Sequence, residues 1–271
     1  EIFWANEINE KACLTYKENI GDHIVQGDIW QQIDNIPNSA DVVIGGFPCQ
    51  DISINGKMAG AINGKRSGLY RAMVEVVRRV KPKIFVAENV KGLLLKTNKD
   101  SLSQVLNDFS ELGYCVSYHL YQAADYGVPQ SRERVIIIGT LPGIIFTPPA
   151  PILTVDEYIT ARQALQDLEE LPENEEFSHI WSRANVSGEQ GNRKLDADRV
   201  GFTIRAECHG NIQFHYNKNR RISMREAARI QSFPDKFVFR SKLRETERQL
   251  GNAVPPVLAW HIAKAVNKAL I

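Results

Sequence analysis

The sequence predicts an α/β fold: a Rossmann-like sheet with helices on both faces, joined to a small loop-rich region. Three observations predict it. Short apolar runs alternate with stretches of helical spacing from the first residue to about Thr140. The alternation breaks down at the proline cluster Pro142, Pro148, Pro149 and Pro151. It resumes at Ser223 and closes on an amphipathic helix.

Residues 2–5 read as a strand, followed by a helix with Ala12, Tyr16 and Ile20 on one face. Residues 23–25 and 42–44 read as the next strands. Leu69, Met73, Val76, Val77 and Val80 recur at helical spacing, and Pro82 ends that helix. Residues 84–87 form a further strand. Asp100 can cap a helix with Leu102, Val105, Leu106, Phe109 and Leu112 inward, and Gly113 stops it. Residues 114–121 and 135–138 complete a mostly parallel sheet, so residues 1–142 read as one domain. Residues 143–217 contain an acidic linker-like stretch at 169–176, then a segment with little periodicity. Residues 218–271 return to regular structure. Ser223 to Glu226 fits a capping box, and a helix opening at Pro255-Pro256 buries Leu258, Ile262, Ala265, Val266 and Ala269.

The chain has 271 residues, of which 43% are hydrophobic, and no apolar run is long enough to span a membrane. Its four cysteines, Cys13, Cys49, Cys115 and Cys208, are far apart and form no C-x-x-C pair. That argues against a disulfide framework or zinc site and for a reducing compartment. Cys13 and Cys115 read as buried packing residues. Net charge is +1, but residues 183–248 carry 15 Lys and Arg against 8 Asp and Glu. A basic final third on an otherwise acidic chain suggests a polyanionic partner.

Chemistry concentrates at the ends of the predicted strands. Gly45-Gly46-Phe47-Pro48-Cys49-Gln50 follows an apolar run, which places Cys49 at the carboxyl end of a strand, where open α/β sheets carry their sites. The next strand ends in Glu88-Asn89-Val90. If the strands are neighbours, Cys49 and Glu88 face one cleft. A thiol beside a carboxylic acid can attack an electron-poor ring and protonate it. Asn89 is expected to fix the geometry of Glu88. Gly56, Gly60, Gly64 and Gly68 lie among Lys57, Lys65 and Arg66, as in a loop that moves and touches phosphates. Arg132 and Arg134, at alternate positions of an extended segment, point the same way and can reach one substrate. Glu7 and Asp28 end predicted strands, where an acidic residue binds ribose hydroxyls in dinucleotide-type folds. Gly251 allows close backbone approach ahead of the last helix.

Together these segments resemble the DNA (cytosine-5) methyltransferase family, of the bacterial restriction–modification type. Gly46-Phe47-Pro48-Cys49-Gln50, Glu88-Asn89-Val90, Gln130-Ser131-Arg132-Glu133-Arg134, the run from Arg225 to Asp235 and Gly251-Asn252-Ala253-Val254-Pro255 match the family's motifs in the family's order. The family's first, glycine-rich motif has no match. A segment lost from the start or a second chain is expected to supply it, and this chain alone is expected to bind cofactor poorly.

The resemblance implies a methyltransferase sheet that binds S-adenosyl-L-methionine and acts on double-stranded DNA as a monomer in the bacterial cytoplasm. It implies that Glu7 holds the ribose and that Asp28, Ile29 and Leu69 contact the adenine. Pro48, Asn252, Ala253 and Val254 close the pocket. Cys49 is the nucleophile, Glu88 the acid, and Arg132 and Arg134 orient the base. The loop through Gly56 to Gly68 shuts over flipped DNA, and residues 143–217 form the target-recognition region. DNA contacts are expected of Gln50, Ser53, Gly56, Lys57, Arg66, Arg205 and Arg225. Methylation of tRNA, a non-catalytic DNA-binding subunit and a cysteine hydrolase are the competing readings.

Overall fold

A computed structural model of the chain describes residues 1–47, 68–183, 193–206 and 213–271. In chain order the strands are β1 (Ala5–Glu7), β2 (Ile24–Gln26), β3 (Val42–Gly46), β4 (Ile84–Val90), β5 (Cys115–Gln122) and β6 (Glu133–Thr140). The helices are α1 (Glu10–Asn19), α2 (Ile29–Gln32), α3 (Gly68–Val80), α4 (Lys99–Glu111), α5 (Ala161–Leu165), α6 (Met224–Ile230), α7 (Leu243–Asn252) and α8 (Pro256–Leu270). They fall into two compact units. The first comprises residues 1–26, 122–132 and 150–261, and the second 27–121, 133–149 and 262–271.

In the second unit the sheet order is β3-β4-β6-β5. Strand β4 is central, and Ile84, Phe85 and Ala87 are fully buried, which is why this strand reads as a continuous apolar run. Helices α3 and α4 contribute Tyr70, Met73, Val77, Val105 and Phe109 to one core with Phe47, Phe85 and Tyr114. Phe85 stacks on Phe109 at 4.2 Å between ring centres. The sheet is mixed rather than mostly parallel. Strands β3 and β4 are parallel, but β6 runs antiparallel to β4. A parallel crossover takes a dozen residues or more, usually through a helix, and only residues 123–132 separate β5 from β6.

In the first unit β1 and β2 form a separate parallel ladder, with Glu7 opposite Gln26. Asn9 caps α1 by accepting from the Ala12 amide at 2.9 Å. A second core gathers Leu165, Leu195, Ile204, Ile222, Met224, Ala227, Ile230, Phe239 and Leu250. Ser223 and Glu226 form the expected capping box at α6. The region of weak periodicity is held by isolated bridges such as Lys194–Phe214 and Phe214–Arg221.

Helix α7 was not legible in the sequence. It buries Thr246, Glu247, Leu250 and Gly251, a face that is mostly polar, so hydrophobic spacing does not reveal it. Gly251 and Asn252 are its last turn instead of a plain approach to the final helix. Cys13 is buried as expected, but Cys115 is exposed at the start of β5, the sheet's edge strand.

Candidate active site

Strands β3 and β4 are neighbours in register, with Gly46 directly opposite Glu88. A Cβ at Gly46 would lie 3.2 Å from Glu88 Oε2, so the glycine leaves room for the carboxylate beside the strand end. Arg134, on β6, faces the same carboxylate, and its Nε lies 2.7 Å from Glu88 Oε1. The Arg134 side chain is 11% exposed and that of Glu88 21%, which leaves the pair shielded but reachable. Burial pulls the Arg134 guanidinium below its ordinary range, and Glu88 opposes that shift. Arg134 also donates to the Glu133 carbonyl at 2.8 Å.

Asn89 does not brace Glu88. It is buried, and its Nδ2 donates to the Phe47 carbonyl at 3.0 Å while Oδ1 accepts from the Val90 amide at 2.8 Å. It thus fixes the residue immediately before Pro48. Pro48, Cys49, Gln50, Ser53, Gly56, Lys57 and Arg66 lie outside the described residues.

Arg132 and Arg134 have different partners. Arg132 is fully buried in the first unit. Its Nη1 donates to the Ile204 carbonyl at 2.7 Å, and Nη2 to the carbonyls of Gly251 and Ala253 at 2.7 and 2.9 Å. The expectation that both arginines reach one substrate therefore gives way to one arginine on a carboxylate and one on backbone. Gly251 packs so closely on the 205–206 backbone that a Cβ would meet Ala206 N at 2.2 Å. Arg225, expected to contact DNA, is corrected likewise. It is 1% exposed and donates to the carbonyls of Phe177, Pro234 and Phe237. Its cation also lies over the Phe177 ring at 4.6 Å, which leaves its charge satisfied inside the unit. Arg205 is exposed.

Glu7 is half-buried at the end of β1, and one carboxylate oxygen accepts from the Asn9 amide at 2.7 Å. The other oxygen can take a hydroxyl donor, so the residue fits a ribose. Asp28 caps α2, accepting from the Trp30 amide at 2.9 Å. Ile29 beside it is half-buried, Trp30 and Leu69 are exposed, and Asn252 is exposed beside half-buried Ala253 and Val254.

These features define a nucleotide-type α/β scaffold with a carboxylate–guanidinium pair at a strand end. The family model "C-5 cytosine-specific DNA methylase" matches residues 1–197 and 180–268. The Type II methyltransferase M.NgoFVII of Neisseria gonorrhoeae is 36% identical over 98% of this chain and 80% of its own length. M.MthTI of Methanothermobacter thermautotrophicus is 35% identical over 99% and 91%. The Entamoeba histolytica methyltransferase EhMeth superposes with a TM-score of 0.72 at 17% identity, covering 99% of this chain and 90% of that one. The chain belongs to the C-5 cytosine-specific DNA methylase family. Family and fold together imply S-adenosylmethionine as cofactor and DNA as substrate.

Proposed function

We propose that the chain methylates C5 of a flipped cytosine in a specific duplex sequence, protecting host DNA within a restriction–modification system in the bacterial cytoplasm. The observation that carries this reading is the Glu88–Arg134 pair directly across from Gly46. The sequence from Gly46 leaves three residues to reach Cys49, at most ~11 Å of extended chain.

Cytosine C5 is too weak a nucleophile to take a methyl group unaided. The Cys49 thiolate adds to C6, while Glu88 hydrogen-bonds N3 and carries the proton there as charge develops. Arg134 holds the Glu88 carboxylate in the orientation this requires. S-adenosylmethionine, when bound, supplies an electrophilic methyl group to the activated C5. Cys49 leaves as thiolate once the C5 proton is removed. Reaching C6 requires the base to leave the duplex stack. Glu7 would hold the ribose, Asp28, Ile29 and Leu69 the adenine, and Pro48 with Asn252 to Val254 the remainder of the cofactor. Arg132 acts through the backbone it braces. Residues 143–217 read the target, and Arg205 contributes a phosphate or guanine contact.

The test is transfer of labelled methyl groups from S-adenosylmethionine to unmethylated duplex DNA, with and without a glycine-rich first-motif segment supplied in trans. The wild-type chain transfers label under one of these conditions, and Cys49→Ser transfers none while keeping its affinity for DNA. Full activity of Cys49→Ser would overturn covalent catalysis.

A further inference from the structure

Two buried side chains converge on the turn between α7 and α8, and a third braces one of them. Gln231 is fully buried at the end of α6, and its Nε2 donates to the carbonyls of Leu250 and Ala253 at 2.9 and 2.8 Å. Gln130, also fully buried, donates through its own Nε2 to Gln231 Oε1 and to the Ile230 carbonyl. Gln130 Oε1 accepts from the Ile204 amide at 3.1 Å. Arg132 bonds the carbonyls of Ile204, Gly251 and Ala253. The Ala253 carbonyl is therefore held by two buried side chains at once. The 253–254 peptide is trans, so drawing that oxygen inward turns the Val254 N–H the opposite way. Ala253 itself is extended, with φ −68° and ψ 145°. The Ala253 N–H closes the helix on the Gln249 carbonyl at 3.1 Å, and the side chains fix where its own carbonyl points.

An apolar core would have packed this corner at less desolvation cost. The network instead specifies the direction of a few peptide groups. Burying amides and a guanidinium is productive only when every partner is met, and here each named amide atom has one. None of the three side chains reaches the surface.

We infer that Gln231, assisted by Gln130, is a positioning residue for the cofactor: with Arg132 it sets the peptide orientation of Asn252, Ala253 and Val254. This rests on the reading that those three residues face S-adenosylmethionine. Gln231 touches neither cofactor nor cytosine, so its loss acts on binding of the methyl donor and not on the covalent step.

The experiment compares the wild-type chain with Gln231→Met and Gln231→Glu, each with the first-motif segment supplied in trans. Gln231→Met keeps the side-chain length and loses every polar bond. Gln231→Glu keeps the acceptor for Gln130 and loses the donor to the two carbonyls. Both variants are expected to weaken S-adenosylmethionine binding roughly tenfold in equilibrium dialysis and to raise its KM by a similar factor, with kcat and DNA affinity within about twofold. Amide hydrogen exchange across residues 250–254 is expected to quicken in both. Gln130→Met, one step removed, is expected to show about a threefold effect in the same assays. Unchanged cofactor binding in folded variants would overturn the inference and leave the cofactor reading standing. So would equal losses of DNA and cofactor affinity, the mark of a general fold defect. No binding of S-adenosylmethionine by the wild-type chain with the first-motif segment present would overturn both.

Discussion

Arg134 pairs with a carboxylate close to solvent, whereas Arg132, two residues earlier, is sealed inside the first unit and bonds three backbone carbonyls. The residue type is the same, but the burial and the partners differ. The pair around Arg134 keeps two charges near the end of β3, shielded but still reachable from solvent. The cluster around Arg132 spends its charge on the direction of peptide groups. A Gln-x-Arg-x-Arg spacing names both arginines as important. It does not say which one works through charge and which through backbone geometry.

Replacing Arg132 is the hardest test of that contrast. Arg132→Met strips the Ile204 and Gly251 carbonyls of their buried donor, while Gln231 still holds Ala253. The expected loss is about 3–5 kcal/mol in urea unfolding, from two unsatisfied carbonyls and a poorly filled site. Arg134→Met is expected to cost less than half of that in stability. Equal losses would erase the distinction between the two arginines.

Glu88→Gln is expected to reverse the balance of effects. The amide keeps an acceptor toward Arg134 but loses the acid–base function, so kcat falls by about 10²–10³ while the midpoint of thermal unfolding stays nearly constant. Near-normal turnover would remove Glu88 from the acid role.

The sequence was legible where physics repeats. Strand β4 showed as an apolar run because both its faces are buried, and α3 showed because Met73, Val77 and Val80 recur on one face. The antiparallel course of β6 was not legible, since strand direction follows from connection length and order rather than from composition. Within the site, the sequence pointed to Glu88 and to the two arginines. It did not separate Arg225 from surface arginines, because a guanidinium satisfied by three carbonyls and an aromatic ring looks the same in one dimension as one that meets phosphate. Gln130 and Gln231 were visible as motif letters without a role. Partners 101 residues apart leave no local pattern.

Helix α7 gives a pH-dependent test on the Arg132 side. Glu247 is 4% exposed and its Oε1 meets no hydrogen-bond partner among the described residues; burial pushes its carboxyl up to about 7, although Arg221 and Arg244 pull it down. The folded protein therefore holds this proton through a range where the unfolded chain has released it. Stability falls as pH rises from the ordinary glutamate value, about 4.5, to about 7, and the penalty is complete above that. Glu247→Gln is expected to flatten this slope and to stabilise the protein at pH 8 by up to about 3 kcal/mol. Parallel melts of both proteins at pH 5 and pH 8 measure it. A slope unchanged by the substitution would assign the dependence to other groups.

Asn89 brings the comparison to the catalytic side. It is a buried amide that directs backbone, as Gln231 does, but the backbone it directs is Phe47, one residue before Pro48-Cys49. Asn89→Ala leaves the Phe47 carbonyl without its donor at a cost of about 1–2 kcal/mol. If the bond aims the nucleophile, kcat falls about tenfold while KM for S-adenosylmethionine holds, the converse of the Gln231 split. Asn89→Asp keeps the acceptor for Val90 but loses the donor to Phe47, so it should lower kcat as the alanine does. Wild-type turnover in a measurably destabilised Asn89→Ala would reduce the bond to packing. Peptide direction would then matter in the first unit alone.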